Sequence, residues 1–325
     1  VDLVSDIMRT AAHVRVLSTS RARLKVQGEH LFYLEGMDVP DWKTPEEALK
    51  NSAVRLFLQS ARRARPGFEL AAADLKYVAR ICRLVGGMPL GILLAAGWLT
   101  MLTPAESEAA PEPGLDFLET DLRDVPERQR SMRAVFDHSW DFLTMQEQAV
   151  MQALSVFRGG FTREAGQQVT GATLRELRAL VDKSLLQPDP AGRYGIHELL
   201  RQYAAGRLRR AETQAEMPAE EYSIRDAHAT YYAAFLASRE APLRGMDQKQ
   251  AVAEIRAEVD NIRTAWDWAV AQGRIEEIEQ SLATLARFCR IRGWYKEGED
   301  LFSRAAQRLS GTHEDRTRLL RGKLL

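Results

Sequence analysis

Cysteine, unbalanced charge and long apolar runs are all scarce in this sequence. The two cysteines, Cys82 and Cys289, lie far apart within apolar helical patterns, which favours free thiols in a reducing compartment. Lysine plus arginine number 45 and aspartate plus glutamate also number 45, so no net field draws the molecule towards nucleic acid or anionic lipid. The longest apolar run, 88–102, is broken by proline and glycine and is too short for a membrane span. The opening VDLVSDIMR has no signal-peptide pattern, so we expect a cytoplasmic protein with no membrane partner.

Signatures of common metal and hydrolase sites are absent as well. The chain contains no Cys-x-x-Cys and no His-Glu-x-x-His, so its six histidines predict no zinc site. Asp137, His138 and Ser139 have the residue types of a catalytic triad. Neighbours on a helix point about 100° apart, however, and cannot pair as nucleophile and base.

The first part of the chain predicts a helix and two strands. Its 325 residues, 45% of them hydrophobic, suffice for two to four modules of about 100 residues each. A helix is predicted over 3–12, and strands over 13–18 (HVRVLS) and 29–34, with the polar turn Thr19-Ser20-Arg21 after the first strand. This order is typical of the closing part of a parallel α/β sheet.

The next region is predicted to be helical as far as a proline-rich linker at 104–114. Thr44 and Pro45 predict a helix start, with threonine as the cap and proline at the first helical position. Two apolar stripes at helical spacing follow: Val54, Phe57, Leu58 and Ala61, then Leu75, Val78, Ala79, Cys82 and Val85. Gly86-Gly87 ends the second of these helices and Pro89 opens another.

Residues 131–208 show a different pattern of predicted elements, in which short helices precede a β-hairpin. The helices are predicted near 132–142, 145–154, 162–168 and 173–183. Strand-forming residues at 185–187 and 193–196 flank a turn rich in proline and glycine, and a further helix is predicted at 197–208. This order is typical of a winged helix.

From about Ser223 the chain is amphipathic and helical. Its apolar stripes are Ile255, Val259, Ile262, Trp266 and Ala269, then Leu282, Leu285, Ala286 and Cys289. Breaks at Gly273 and Gly293 are about 20 residues apart, half of a repeat of about 40 residues. The segment 295–306 resembles part of a tetratricopeptide-type (TPR) helix, so we expect the start of a TPR-like α-solenoid.

Several segments, in this order, resemble the bacterial STAND regulators, which are signal-transduction ATPases with numerous domains related to the NB-ARC ATPases. They are VRVLSTSRARLKVQGEHLFYLEGMDVP, RICRLVGGMPLGILLAAGWL, RSMRAVFDHSWDFLTMQEQAVMQALSVFRGGFT, LRALVDKSLL and RYGIHELLRQYAAGRL. The resemblance runs from residue 1 to about 210. It implies a mainly α fold with four parts: the C-terminal remnant of a P-loop α/β nucleotide-binding domain (1–43), a helical domain with linker (44–114), a winged-helix domain (115–210) and incomplete TPR-like repeats (211–325).

The resemblance also implies contacts to ATP or ADP. Thr19 and Arg21 match the sensor-1 segment, whose arginine faces the terminal phosphate, and a guanidinium suits that position at the edge of a parallel sheet. Gly87 and Pro89 match the glycine-x-proline motif, whose proline packs on the adenine. His197 takes the place of the histidine of the methionine-histidine-aspartate motif, which donates a hydrogen bond to the β-phosphate of ADP.

Each of these matches has a purely structural alternative. A surface turn explains Arg21, a helix break explains Gly87 and Pro89, and a helix start explains His197. The residues on either side of His197 depart from the family motif, so the role of the acid Glu198 stays open.

The phosphate loop of this family, G-x-x-x-x-G-K-[ST], does not occur in the sequence. Lys43-Thr44 lacks the preceding glycines, and no apolar strand ends in an aspartate that would organise magnesium. We therefore expect the chain to begin inside the nucleotide-binding domain, with magnesium bound only in a longer parent. We do not expect the chain alone to hydrolyse ATP.

Three classes of function follow. The resemblance implies a switch that ADP holds closed through His197 and that ATP, with a protein or small-molecule ligand on the repeats, opens for self-assembly and control of an effector in transcription.

A second class is a DNA-binding winged helix that reads DNA through the helix predicted at 173–183. Its predicted buried face is Leu174, Leu177, Leu180 and Val181. The remaining face mixes Arg175, Arg178 and Lys183 with Glu176 and Asp182, so we do not expect it to bind DNA directly. The third class is a helical-repeat scaffold for protein partners.

Overall fold

The computed structural model is mainly helical and divides into two compact units. It describes residues 1–11, 13–20, 22–32, 34–39, 45–71, 74–97, 118, 130–210 and 219–309. The first unit comprises Val1–Gln148, Arg178–Leu186 and Ile196–Ala204, and the second comprises Ala149–Leu177, Gln187–Gly195 and Ala205–Leu325. No helix in the described ranges combines the length and the apolarity needed to cross a membrane.

Helices dominate the described part of the chain, and short strands interrupt them at two places. The helices are α1 (Asp2–Thr10), α2 (Pro45–Lys50), α3 (Ser52–Ala64), α4 (Leu75–Leu84), α5 (Pro89–Gly97), α6 (Met132–Trp140), α7 (Met145–Leu154), α8 (Arg163–Thr170), α9 (Leu174–Asp182), α10 (Glu198–Arg210), α11 (Ala219–Ala237), α12 (Gln248–Ala257), α13 (Val259–Gln272), α14 (Ile275–Arg292) and α15 (Tyr295–Arg308). The strands are β1 (Phe161–Thr162), between α7 and α8, and β2 (Gln187–Pro188) and β3 (Arg193–Gly195), between α9 and α10.

Helices α3, α4 and α5 form the apolar core of the first unit. The side-chain oxygen of Asn51 caps α3 by accepting a hydrogen bond from the Ala53 amide at 3.1 Å. The two predicted stripes are confirmed, and their central residues, Phe57 and Val78 among them, are fully buried. Cys82 is buried in the same core as a free thiol, and desolvation raises its pKa to about 12.

The two strands predicted at 13–18 and 29–34 are wrong, because the described residues of both segments have irregular backbone. Their apolar side chains are exposed, with Leu17 98% and Phe32 88% accessible to solvent. No described strand lies beside them, and a strand needs a partner for its backbone hydrogen bonds. The carboxylate of Glu29, the first residue of the second segment, organises a turn by accepting hydrogen bonds from the amides of Leu24 (2.8 Å) and Lys25 (3.0 Å).

The apparent triad on α6 is a structural feature. Asp137 accepts a hydrogen bond from the hydroxyl of buried Tyr203, whose ring packs against Trp140. Ser139 donates to the Val135 carbonyl at 3.2 Å, and the ring of His138 packs edge-on against Phe142. The three residues therefore serve separate partners, as the helix geometry predicts.

The second unit contains a three-stranded antiparallel sheet in the order β1-β3-β2. Strand β3 is central and pairs Tyr194 with Phe161 of β1 and with Pro188 of β2. The predicted hairpin is confirmed, whereas β1 was not predicted, because two residues after a glycine pair carry no alternating pattern. Phe161 is fully buried and stacks on Phe157.

Helices α11 to α15 form the helical part of the second unit. Helix α14 packs against α11, α13 and α15, and α13 also packs against α15. The breaks predicted at Gly273 and Gly293 are confirmed as left-handed C-caps of α13 and α14, with φ of 65° and 70°. The approach of α15 to α14 is close, since a Cβ added at Gly298 would lie 3.3 Å from the Cβ of Cys289.

The segment that carries the predicted stripe 255–269 is divided into two helices at a buried acid. Helix α12 ends at Ala257 and α13 begins at Val259, and the side chain of Glu258 between them is only 3% exposed. It forms an ion pair with Arg193 of β3 and accepts hydrogen bonds from Tyr232 (2.8 Å) and Asn261 (2.9 Å). Charge pairing and hydrogen bonds compensate the burial of this carboxylate, which an apolar stripe does not anticipate.

Candidate functional site

A glycine turn between α4 and α5 forms the centre of the candidate site, in the first unit. Gly86 and Gly87 both have left-handed backbone, with φ of 58° and 68°. Their amides donate to the carbonyls of Arg83 (2.9 Å) and Cys82 (3.0 Å) and close the end of α4. The Met88 amide donates to Val85 at 3.0 Å, and α5 then begins at Pro89.

Close backbone neighbours also require both glycines. The Met37 amide donates to the Gly87 carbonyl at 2.8 Å, and a Cβ added at Gly87 would lie 2.1 Å from the Met37 carbonyl oxygen. On the other side, a Cβ added at Gly86 would lie 2.1 Å from Nε2 of His197. The turn is therefore held between Met37 and His197, and neither neighbour leaves space for a side chain.

His197 precedes α10 and reaches the glycine turn with its imidazole. Nε2 lies 3.1 Å from the Val85 carbonyl oxygen, and Nδ1 lies 3.2 Å from the Leu199 amide, which donates to it. Because Nδ1 accepts, the neutral ring carries its proton on Nε2 and donates it to Val85. The ring is half-buried, and this desolvation lowers its pKa, although the Val85 carbonyl and the charge of Glu198 favour the protonated form.

The structure brings three of the five predicted site residues together. Gly87 lies in the turn and His197 lies against it. Pro89, two residues after Gly87, is exposed. Thr19 is exposed, and within the described ranges it forms no hydrogen bond to the turn or to His197. Arg21 lies outside the described residues. The roles of all five in nucleotide binding stay predictions.

Sequence reasoning missed the part that Gly36 and Met37 play. A Cβ added at Gly36 would lie 2.2 Å from the Gly86 carbonyl oxygen, so glycine is required here too. The signal was the glycine of LEGMD directly after the segment predicted as a strand. In isolation that glycine indicates only a loop.

The C-terminal end of α9, the candidate DNA-reading helix, has protein partners in the first unit. Asp182 pairs with Lys25 at 2.8 Å, and its carbonyl accepts the Arg23 amide at 3.2 Å. The hydrogen bond from Lys25 holds the pKa of Asp182 below its usual range. Lys183 donates to Glu147 at 2.6 Å and to the Phe142 carbonyl at 3.0 Å.

The predicted buried face of α9 is confirmed at Leu177 and Leu180, which are fully buried. Leu174 is 51% exposed, so its assignment to that face is wrong. It is the first residue of the helix, one turn before the buried pair. Thr173 and Glu176 form a capping box at this end, with the Thr173 amide donating to the Glu176 carboxylate at 2.7 Å.

The described residues contain no cluster of three or more histidine, cysteine, aspartate or glutamate side chains that could hold a metal ion. The polar groups at the glycine turn are the imidazole of His197 and backbone carbonyls such as that of Val85. A site of this kind offers hydrogen bonds and apolar surface to a ligand.

Comparison with known proteins identifies similar regulators. No family model matches the chain. It is 30% identical over 311 residues to the "Putative HTH-type transcriptional regulator Rv0890c" of Mycobacterium tuberculosis, an alignment that covers 93% of this chain and 33% of that protein. It is 29% identical over 218 residues to the "Uncharacterized protein Rv0894" of the same organism, covering 63% of this chain and 53% of that one. The chain thus spans about a third of the length of the first relative.

Among solved structures, the chain is similar to a Signal Transduction ATPase with Numerous Domains (STAND) protein with a tetratricopeptide repeat sensor from Pyrococcus horikoshii. The two are 16% identical with a TM-score of 0.25, over 86% of this chain and 41% of that one. This score is too low to establish a shared fold.

Proposed function

We propose that the chain is the regulatory part of a STAND-type nucleotide-dependent switch that acts in transcription. The observation that carries the proposal is the hydrogen bond from His197 to the Val85 carbonyl at the Gly86-Gly87 turn. It joins two segments more than a hundred residues apart, which the family resemblance had assigned to one nucleotide site. The similarity to proteins named as putative transcriptional regulators supports the proposed role in transcription.

The order of the elements supports two more specific assignments, a winged-helix domain and a TPR-like sensor. The succession α7, β1, α8, α9, β2, β3, with a sheet ordered β1-β3-β2, is the one a winged helix requires. Helices α13 to α15, with glycine C-caps 20 residues apart in sequence (273 and 293), support a TPR-like sensor that takes a protein or small-molecule ligand.

The residues of the glycine turn fit the periphery of a bound ADP or ATP. Pro89 presents an exposed ring on which an adenine can pack, and His197 supplies one N–H donor. The amides of the turn are already bonded within α4, so they are not donors for phosphate. When bound, the nucleotide supplies a phosphate oxygen that competes with the Val85 carbonyl for the proton on Nε2.

This competition gives a two-state element. In one state His197 donates to the Val85 carbonyl, and in the other it donates to the β-phosphate of ADP and latches the closed form. A ligand shifts such an equilibrium only by its difference in affinity for the two states. ATP together with a ligand on the repeats is proposed to favour the open, assembling form.

The test is the nucleotide content of the full-length parent protein after purification, measured by chromatography of the released nucleotide. We expect His197→Ala to retain at least tenfold less ADP than the unmodified protein. His138→Ala, which removes an exposed histidine of α6, is the matched control and should retain ADP normally. Equal retention in all three proteins would refute the latch.

Direct DNA reading by α9 is not the function that the contacts favour. Lys183 is paired with Glu147, and Asp182 with Lys25, so part of the proposed reading face is occupied by protein. We propose instead that this domain acts within the switch.

A further inference from the structure

Helix α3 carries a basic stripe that the nucleotide site does not use. Ser52, Arg55, Leu56, Gln59, Arg62 and Arg63 succeed one another at helical spacing and, together with Met37, line a groove. The groove is open to solvent and has a volume of about 710 Å³. The other face of α3 is the apolar core face, so the stripe is the free side of a helix that the core holds in place.

The charge of the stripe is not neutralised by the described part of the chain. Helix α3 contains no aspartate or glutamate, and Arg55, Arg62 and Arg63 are all exposed. None of the three forms an ion pair or side-chain hydrogen bond with a described residue. Three guanidinium groups on one helix, without a carboxylate, present a concentrated positive field in a chain of zero net charge.

Helix electrostatics explains only part of this arrangement. Arg62 and Arg63 lie in the last turn, where they interact favourably with the negative end of the helix dipole. Arg55 is the fourth residue of the helix, near its positive end, where a cation gains nothing from the dipole. Its position in line with the other two points to an external anion.

The spacing of the three arginines and the residues that line the groove indicate which kind of anion would bind there. From Arg55 to Arg63 the helix rises about 12 Å, and one strand of a nucleic-acid duplex carries a phosphate about every 3.4 Å along its axis. Arg55 and Arg62, about 10 Å apart along the helix, can therefore face phosphates about three steps apart on one strand, with Arg63 beside Arg62, whereas a nucleotide concentrates its phosphates over a shorter distance. Among the described residues that line the groove none is aromatic, so this part of the lining offers no stacking platform of the kind that single-strand binders use.

We propose that the α3 groove binds the phosphodiester backbone of a nucleic-acid duplex without reading its sequence. Met37, whose backbone amide donates to the Gly87 carbonyl, lines the same groove, as does the half-buried Leu56. The contact uses phosphates alone, so it is weak, with Kd of about 10⁻⁴ to 10⁻⁶ M at physiological salt. DNA and RNA duplexes present the same phosphates and are bound alike.

The test measures binding of the full chain to a fluorescein-labelled 20-base-pair duplex, DNA or RNA, by anisotropy over a range of salt. Three phosphate contacts predict a slope of log K against log salt of about −2.7, or roughly 40-fold weaker binding at 200 mM than at 50 mM. Each of Arg55→Gln, Arg62→Gln and Arg63→Gln should reduce the steepness by about 1. All three residues are exposed, so the variants are expected to fold, and circular dichroism checks this.

The matched control removes three exposed arginines of the other unit, Arg256, Arg290 and Arg308, in one triple Gln variant. Unchanged binding in this control and loss in the α3 triple variant would support the proposal. Equal loss in both would show diffuse attraction and overturn it. Displacement of the duplex by inorganic tripolyphosphate at much lower phosphate concentration than by unlabelled duplex would also overturn it, in favour of a compact anion. The readout is independent of ADP retention, so the two proposals can fail separately.

Discussion

At the scale of single residues, the position of the His197 imidazole requires glycine at position 86. The imidazole approaches the backbone so closely that a Cβ at Gly86 would overlap Nε2, and the same glycine has φ of 58°. A substitution there thus carries two costs, backbone strain and the clash with His197. Only the second depends on the histidine, and a double-mutant cycle separates them.

We predict that Gly86→Ala lowers the free energy of unfolding by about 2 to 4 kcal/mol, since positive φ and a clash act together. In the His197→Ala background the clash disappears, and the cost should fall by at least about 1 kcal/mol. Urea denaturation of the four proteins measures this. Gly67→Ala, at φ of 82° with open space around it, reports the strain alone. Additive effects in the cycle would show that His197 does not touch the turn in solution.

A second prediction concerns His228, which is almost fully buried in α11. It packs against Phe157 and Tyr232, and desolvation lowers its pKa to about 3, with the positive charge of Arg225 adding to the shift. The unfolded chain takes up this proton near pH 6.5, and the folded chain does so only near pH 3. Stability is therefore complete above pH 6.5 and falls towards pH 3 by about 1.4 kcal/mol per pH unit.

The measurement is the unfolding free energy of the chain between pH 7.5 and 4, with His228→Gln as comparison. The variant has lost the titrating group, so its curve should be flatter below pH 6.5, whatever its absolute stability. The lowered pKa of His197 acts in the same direction, so the wild-type loss exceeds that of His228 alone. Parallel curves would mean that His228 is solvated in the native state.

At the scale of elements, the close packing of α14 and α15 depends on a small residue. A Cβ at Gly298 would lie 3.3 Å from the Cβ of Cys289, which neighbours can accommodate, whereas a branched side chain cannot fit. We expect Gly298→Ala to have little effect and Gly298→Leu to cost about 1 to 3 kcal/mol by overpacking. Thermal unfolding checks this, with Glu299→Leu on the exposed face of α15 as the neutral control. Equal melting temperatures for both leucine variants would contradict this packing of α14 and α15.

The sequence predicted those elements whose signal is local. Helical stripes such as Val54 to Ala61, the glycine caps at 273 and 293 and the hairpin turn each carry their own pattern, and the structure confirms them. The strands predicted at 13–18 and 29–34 needed partners, which no local pattern reveals. The buried Glu258 depends on Arg193, 65 residues away, so sequence spacing cannot anticipate it.

The candidate site was predicted only in part, for the same reason. The family resemblance indicated Gly87, Pro89 and His197 as nucleotide contacts, and the structure places them around one turn. The contacts that fix the turn, from Met37 and to the Val85 carbonyl, join distant segments. They depend on tertiary packing, which residue types alone do not encode.

At the scale of the whole molecule, the chain corresponds to about a third of the relatives named as transcriptional regulators. Its sequence contains no phosphate loop to hold and orient the phosphates during hydrolysis. We therefore predict that the purified chain hydrolyses ATP no faster than background in a phosphate-release assay with magnesium. Magnesium-dependent turnover that co-purifies with the chain would require a different catalytic site.

In the proposed switch, His197 exchanges the Val85 carbonyl for a phosphate of ADP. The most direct measurement is the dissociation rate of a fluorescent ADP analogue from the full-length parent, with His197→Ala and His138→Ala compared to the unmodified protein. Loss of one hydrogen bond to a charged group, about 1.5 to 3 kcal/mol, predicts dissociation roughly 10 to 150 times faster for His197→Ala and an unchanged rate for His138→Ala. An unchanged rate for His197→Ala would show that His197 does not hold the bound nucleotide.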